Sequence, residues 1–306
     1  MLSIFTPTYN RAYSLPRLYE SLVGQTFDDF EWIIVDDGST DDTELVCHGF
    51  IEEGRLRVTY RKVPNGGKHS AINVGAQLAC GEWFFIVDSD DWLVPDGLET
   101  TSRYLEQIVD DERFAGVSGL RGFPDGTINF GPHEEGFELS DRERELLRHE
   151  YVDATTATYH YRMKIRGDRA EVVRTDLVRS HPLPVFEGET FLPETPLWLG
   201  LSNEGYLLRW FNQITYLGDY LEDGLTSHLA ASSKRCWRGS AYINDFLASS
   251  RLPLVYRLSG SASYFRYGFY GAGGVSLREA RRLFAASSNK ALAPLGLGLA
   301  LMFPVK

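Results

Sequence analysis

Three aspartates in four positions, Asp88, Asp90 and Asp91, close the apolar run FFIV at 84–87 and are followed at once by Trp92. Like charges so close repel one another, so a chain that keeps them at the tip of a buried strand must offer them something positive. In an extended chain successive side chains alternate, which sends Asp88 and Asp90 one way and Asp91 the other unless the chain turns. Carboxylate oxygens are hard ligands suited to Mg2+ or Mn2+, and a magnesium site keeps several waters and takes its remaining ligands from phosphates. One short acidic motif therefore suffices where the substrate is a diphosphate. Taken alone, the motif reads equally well as a solvated turn capping the helix that begins near 96.

Three more polar clusters follow apolar runs in the same way: TPTYNR (6–11), DDGST (36–40) and PNGGKH (64–69). An aspartate at a strand end, such as Asp36 or Asp37, can accept a base N–H or ribose hydroxyls, although a turn with a helix cap explains it as simply. The glycine turn before Lys68 is not a P-loop, because Lys62 and His69 stand where that motif needs Gly and Ser or Thr. What remains is a flexible turn into a helix N-terminus, whose free N–H groups favour anions, with Lys68 as an added positive charge. His69 alone is a packed or capping histidine more often than a catalyst.

The elements that must hold these clusters alternate regularly over the first hundred residues. Strands are predicted at 2–5, 31–37, 56–62 and 82–88, with helices at 14–25, 41–53 and 68–80 between them. Such alternation implies a parallel sheet covered on both faces, and ligands of such sheets bind at the carboxyl ends of the strands. All four polar clusters fall on that edge. Beyond it, the pattern predicts a helix at 96–111, a strand at 114–118, a charged loop and helix at 132–149 and strands around 151–162 and 169–174. A helix entered through FEGETFLPETPLW (186–198) and a strand pair near 206–220 complete the reading.

Composition sets the frame. The chain has 306 residues, 43% hydrophobic and 24% charged, enough for a full core. Cys47, Cys80 and Cys236 are scattered and odd in number, which argues against a disulfide framework and fits a reducing compartment. The N-terminus enters a strand-like run without the apolar stretch of a signal peptide, and no apolar run reaches the roughly 18 residues of a membrane span. The formal charge of −11 is uneven: from 228 on there are 11 Lys or Arg against 2 acids, which leaves 20 basic and 40 acidic residues in 1–227. A boundary is predicted there, between a domain at 1–227 and a basic, aromatic extension at 228–306.

TPTYNR, VDDGSTDDT, NGGKHSAINVGAQLACGEWFFIVDSDDW and FLPETPLW, in this order, resemble the family 2 inverting glycosyltransferases of GT-A fold. The likeness covers about 1–226, and GGKHSAIN and PETPLW are similar to a bacterial subgroup that builds surface polysaccharides. It implies an α/β, Rossmann-like, mostly parallel sheet with helices on both faces, split into a nucleotide-sugar half (about 1–95) and an acceptor half (about 96–227), plus a mainly helical C-terminal extension. The implied roles are Pro7 and Tyr9 lining the nucleobase pocket, Asp37 reading the base, Asp88 near the ribose, Lys68 assisting the nucleotide, and Asp90, with Asp91, holding Mn2+ or Mg2+ on the diphosphate of a UDP-sugar.

Inversion at the anomeric carbon needs a carboxylate that deprotonates the acceptor hydroxyl opposite the leaving diphosphate. The family usually supplies it as the Asp of a Glu-Asp pair three residues before a Leu. PETPLW departs from that pattern: Glu194 stands three before Leu197, and Pro193 takes the place of the first acid. Glu194 is the expected base and Glu189 the alternative. The acceptor is expected to be a saccharide, free or linked to polyprenyl diphosphate.

Arginines interleaved with aromatics at 255–270 and 277–284 suit an anionic membrane surface, with a helical appendage packed on the catalytic domain as the other reading. The protein is thus expected in the cytoplasm, peripheral at the inner membrane face. Nucleic-acid binding is disfavoured, because an acidic body repels a phosphate backbone. A nucleotidyltransferase making the nucleotide sugar would share the sheet, but TPTYNR lacks the glycine-rich loop it ordinarily carries. A non-catalytic nucleotide- or glycan-binding scaffold is the third reading, and the intact Asp88, Asp90 and Glu194 speak against it.

Overall fold

The structure is a computed structural model that describes residues 1–129, 138–218 and 229–303. β1 (Leu2–Thr8), β2 (Phe30–Asp36), β3 (Val58–Lys62) and β4 (Trp83–Ile86) are joined by α1 (Leu15–Val23), α2 (Thr43–Glu53) and α3 (Lys68–Leu78). β5 (Trp92–Leu93), α4 (Gly97–Glu106), β6 (Phe114–Gly122), α5 (Asp141–Leu146) and β7 (Tyr151–Ala154) follow. Then come β8 (Arg169–Arg174), α6 (Thr175–Ser180), α7 (Thr195–Glu204) and β9 (Leu207–Leu217). Among the described residues nine strands form one sheet in the order β3-β2-β1-β4-β8-β6-β9-β5, with β7 also on β9.

β1 to β4 pair in parallel, as the sequence predicts, with Thr8 opposite Asp36 and Phe5 opposite Ile86. The second half is mixed: β8 runs antiparallel to both β4 and β6, β6 and β9 are parallel, and β5 and β7 are antiparallel to β9. β1 is buried along its whole length because helices cover both its faces. On one face Leu2 and Ile4 meet Leu18, Tyr19 and Phe50, where Tyr19 stacks on Phe50 with ring centroids 4.2 Å apart. On the other, Phe5 and Phe84 meet Ala71 and Ile72 of α3 and Leu197 and Leu201 of α7. The apolar stripes of these helices therefore fix how the strand ends are presented.

Three expectations change. The run at 151–162 is half strand: after β7 the chain turns into a π-helical segment, Ala157–Arg162, opened by the Thr158 N–H donating to the Thr155 hydroxyl. The pair expected at 206–220 is one strand, β9, which serves two short partners. β8 passes directly into α6, a helix the pattern did not announce. The boundary expected at 227/228 and the start of the helix at 132–149 lie outside the described residues.

The C-terminal extension is helical: α8 (Leu229–Arg235), α9 (Trp237–Ser249), α10 (Leu254–Gly271), α11 (Leu277–Ala286) and α12 (Ala293–Met302). It has a core of its own around Tyr264, Phe265, Phe269 and Leu283, and α9 packs on the main body through Ile243. α11 leaves Leu277 and Phe284 exposed, and α12 leaves Leu295, Leu301 and Met302 exposed. Among the described residues no helix is long and apolar enough to cross a membrane.

Candidate active site

The carboxyl ends of β1 to β4 are laced together by local hydrogen bonds. Asn10, in the left-handed region at φ 53°, receives the Thr40 N–H on its side-chain oxygen, and its own N–H donates to Ser39 Oγ at 2.8 Å. Asp36 closes the turn after β2 by accepting the Ser39 N–H at 2.7 Å and holds Tyr60 OH at 2.6 Å. Asp37 reaches the next loop, accepting Gly66 N–H at 2.7 Å and Gly67 N–H at 2.8 Å. Burial raises the Asp37 pKa against these two donors, and Asp36 adds to the rise. A carboxylate offers about four lone-pair sites, so Asp37 retains capacity for a ligand. Pro7 is buried beside these turns, and Tyr9 stands 47% exposed at the rim.

Asp37's clasp sets the start of α3. Gly67 adopts φ +88°, and a Cβ there would lie 2.1 Å from the Thr190 carbonyl oxygen, so a side chain at 67 would push apart the α3 N-terminus and the loop before α7. That close approach brings Lys68, the first residue of α3, between two acids. Its Nζ lies 2.7 Å from Asp88 Oδ1 and 2.8 Å from Glu194 Oε1. Burial works against the charged lysine, but the two carboxylates outweigh it and the Lys68 pKa is raised. Asp88 moves the other way: burial opposes ionisation, yet Lys68 holds the carboxylate below its ordinary range. Glu194 occupies the N-cap position of α7, where its charge also favours the helix dipole. His69 is 1% exposed and kept towards the neutral form by burial, which bears out the packed reading.

The aspartates after β4 part ways. Asp90 lies with its carboxylate oxygen 3.9 Å from Arg11 Nε, while Arg17 donates to its carbonyl and stacks over Trp92 at 3.8 Å. Burial and the neighbouring Asp88 both raise the Asp90 pKa, the signature of a carboxylate whose negative charge is not fully met. Asp91 turns inward, is 2% exposed, and gives one oxygen to Arg121 Nη2 at 2.9 Å and the other to Tyr216 OH at 2.7 Å. Tyr216 OH in turn accepts the Asp88 N–H at 2.9 Å. Gly218 lets the chain pass over this pair, since a Cβ there would sit 2.1 Å from Asp91 Oδ1. Asp91 thus braces the turn, with one oxygen on Arg121 and the other on Tyr216, and Asp90 is the more available of the two carboxylates for a metal.

Glu189 likewise has another task. Its carboxylate, 5% exposed, accepts Arg238 N–H at 3.0 Å, Arg238 Nε at 3.1 Å and Gly239 N–H at 2.8 Å. It ties the loop before α7 to the first turn of α9, and those three donors take most of the about four acceptor positions of the carboxylate.

A hard cation fits what is left. Among the described residues no three His, Cys, Asp or Glu side chains gather as a ready cage, and Mg2+ or Mn2+ in phosphate chemistry asks only for one or two carboxylates plus the phosphates. Asp90, raised by its neighbours, is the oxygen donor suited to that role.

Sequence reasoning missed Arg121 and Tyr216, whose sole advance signal was that a buried Asp91 would need a partner. It also missed Glu171 on β8, a half-buried carboxyl whose pKa burial pushes up to about 7, with Asp168 and Glu194 adding to the rise and Arg169 opposing it.

Comparison with known proteins gives the same picture. The sequence profile of glycosyl transferase family 2 matches residues 3–168. Glycosyltransferase GlyG of Streptococcus pneumoniae is 35% identical over 108 residues, which is 35% of this chain and 36% of that protein. The chain thus spans about a third of that relative's length. TarS 1–349 of Staphylococcus aureus, solved with UDP-GlcNAc, superposes with a TM-score of 0.60 at 19% identity, covering 96% of this chain and 83% of that one. The mannosyltransferase PcManGT of Pyrobaculum calidifontis, solved with GDP-Man and Mn2+, gives 0.57 at 17% identity over 98% and 79%. At such identities the superpositions speak to the fold.

Proposed function

Since the chain belongs to glycosyl transferase family 2 and has the GT-A fold, we propose that it is an inverting, metal-dependent hexosyltransferase that moves a sugar from a nucleotide diphosphate, UDP in the first instance, to a saccharide acceptor in bacterial surface polysaccharide synthesis. The observation that carries this reading is the convergence of Asp88, Asp90, Lys68 and Glu194 at one edge of the sheet, with Lys68 in contact with two of the acids. The donor types bound by TarS and PcManGT and the likeness to GlyG support it.

In this reading Tyr9 stacks on the nucleobase above Pro7, Asp37 accepts its N–H and Asp88 meets the ribose. Asp90 would hold Mn2+ or Mg2+, which when bound neutralises charge on the diphosphate. Glu194 takes the proton from the acceptor hydroxyl as that oxygen closes on the anomeric carbon, and Lys68 steadies the negative charge that leaves with the diphosphate. Asp91, Arg121 and Tyr216 hold the aspartate turn in shape, and Glu189, engaged by Arg238 and Gly239 of α9, serves as a tie between elements and leaves the role of base to Glu194.

Glu194→Gln keeps the shape of the side chain and removes the proton acceptor. Turnover of UDP-sugar with acceptor should fall about 10²- to 10⁴-fold, the range for loss of a general base. Glu189→Gln should retain turnover at an unchanged pH profile. Full activity in Glu194→Gln would end the assignment.

A further inference from the structure

Lys68 stands where donor and acceptor chemistry meet. Its backbone is fixed on both sides, by Asp37 through Gly66 and Gly67 and by the close approach of Gly67 to Thr190. The ammonium, by contrast, sits on a four-carbon stem with three donors that can be redirected. It is divided between Asp88 at 2.7 Å and Glu194 at 2.8 Å, one acid from the turn after β4 and one from the N-terminus of α7.

We propose that Lys68 is a positioning residue that keeps the Glu194 carboxylate neutralised until an incoming nucleotide diphosphate draws the ammonium away, so that the base is released when the donor is in place. This rests on the reading of the donor site beside Asp88 and of Glu194 as the base.

The physical case is a competition for one cation. A diphosphate arriving next to Asp88 presents more negative charge to Lys68 than a single carboxylate does, in a site where part of the water is excluded and the attraction is correspondingly stronger. Once the ammonium leaves, the Glu194 oxygen it held at 2.8 Å is open to the hydrogen bond of the acceptor hydroxyl. In the transfer that follows, the acceptor O–H bond breaks and its proton passes to Glu194. The acceptor oxygen bonds to the anomeric carbon, and the bond from that carbon to the diphosphate breaks with its electron pair on the leaving oxygen, next to the relocated Lys68. Without donor, Lys68 occupies the Glu194 oxygen that would receive the acceptor hydroxyl.

The handover predicts a coupling that needs no acceptor to observe. UDP binding in the presence of Mn2+ is measured calorimetrically for the full chain as wild type, Glu194→Gln, Lys68→Met and the double variant. Glu194→Gln removes the rival for the ammonium and should tighten UDP about three- to tenfold, the scale of coupling between residues in contact. Lys68→Met should weaken UDP, and on that background Glu194→Gln should change the affinity by less than about twofold. Lys68→Arg should restore the coupling. Equal tightening on both backgrounds means that Glu194 acts on the diphosphate through its own charge and overturns the handover, as does no tightening at all.

Because Lys68→Met leaves two facing acids unpaired, a second readout uses the unaltered protein. The 13C carboxyl signal of Glu194, identified by its loss in Glu194→Gln, should move at fixed pH when UDP and Mg2+ are added together, as its ammonium partner leaves, and not with Mg2+ alone. A signal that UDP and Mg2+ leave unmoved overturns the proposal. Failure of wild type to bind UDP under either metal would instead bring down the donor site itself.

Discussion

Under the proposed function, the donor side and the acceptor side of the site are built in opposite ways. At the donor edge the acids are held by neighbours in the same half: Asp36 by Ser39 and Tyr60, Asp37 by Gly66 and Gly67, and Asp41 by Ala12 and Thr43. On the acceptor side the partners come from the other half or from the helical extension. Glu194 meets Lys68, Glu189 meets Arg238 and Gly239, and Asp91 at the junction meets Arg121 and Tyr216. Donor-side turns can therefore form with their own strands, while the acceptor side acquires its shape once β8, α7 and α9 have docked. On the proposed reading, the nucleotide end is set by local hydrogen bonds and the acceptor end by tertiary packing.

The largest effect expected from this contrast is at Glu189. Glu189→Ala leaves the Arg238 and Gly239 donors without their acceptor and strands a partly buried guanidinium. It should cost on the order of 3 kcal/mol in chemical unfolding, the scale for leaving the Arg238 and Gly239 backbone N–H groups unsatisfied, and loosen α9 from the loop before α7. A cost below about 1 kcal/mol combined with lost turnover would make Glu189 a reacting group and break the contrast.

A smaller effect belongs to Glu171. Its carboxyl is raised from 4.5 to about 7 in the folded protein, first by burial, so between those values the folded state holds more protons than the unfolded one. Stability therefore falls as pH rises through roughly 4.5 to 7 and then levels off. Glu171→Gln removes this dependence, so relative to wild type it should gain about 1–3 kcal/mol on going from pH 5 to pH 8, less than the full shift because the group is not wholly buried. Denaturant midpoints at the two pH values measure it, and an identical difference at both would show Glu171 to be solvated and the acceptor side more open than described.

The same contrast explains what the sequence disclosed. β1, β2 and β4 are legible because contiguous apolar runs such as Trp32-Ile33-Ile34-Val35 have to be buried on both faces, and their polar tips then fall on one edge. The clusters at Asp37, Lys68, Asp88 and Asp90 could be assembled from that rule alone. Asp91 could not, since the residues that claim its oxygens lie 30 and 125 positions away. The split of 151–162 into strand and π-helical turn depends on one threonine hydroxyl and on Tyr159 stacking over Trp210 at 3.9 Å, a contact invisible to periodicity. Glu189 and Glu194 look alike in EGETFLPE, and docking of α9 on the first tells them apart.

The most direct test of the account is whether a nucleotide diphosphate binds at the aspartate turn through a cation. Thermal unfolding of the wild type and of Asp90→Ala is followed with UDP, GDP, CDP and dTDP, each with and without Mn2+. A ligand at about 100 times its Kd adds roughly 2.7 kcal/mol to the folded state, a rise of a few degrees for a chain of this size. The account predicts that rise for UDP with Mn2+ in the wild type, and its loss without Mn2+ and in Asp90→Ala, whose own midpoint without nucleotide stays close to the wild-type value. No shift with any nucleotide, or an equal shift in Asp90→Ala, would contradict it.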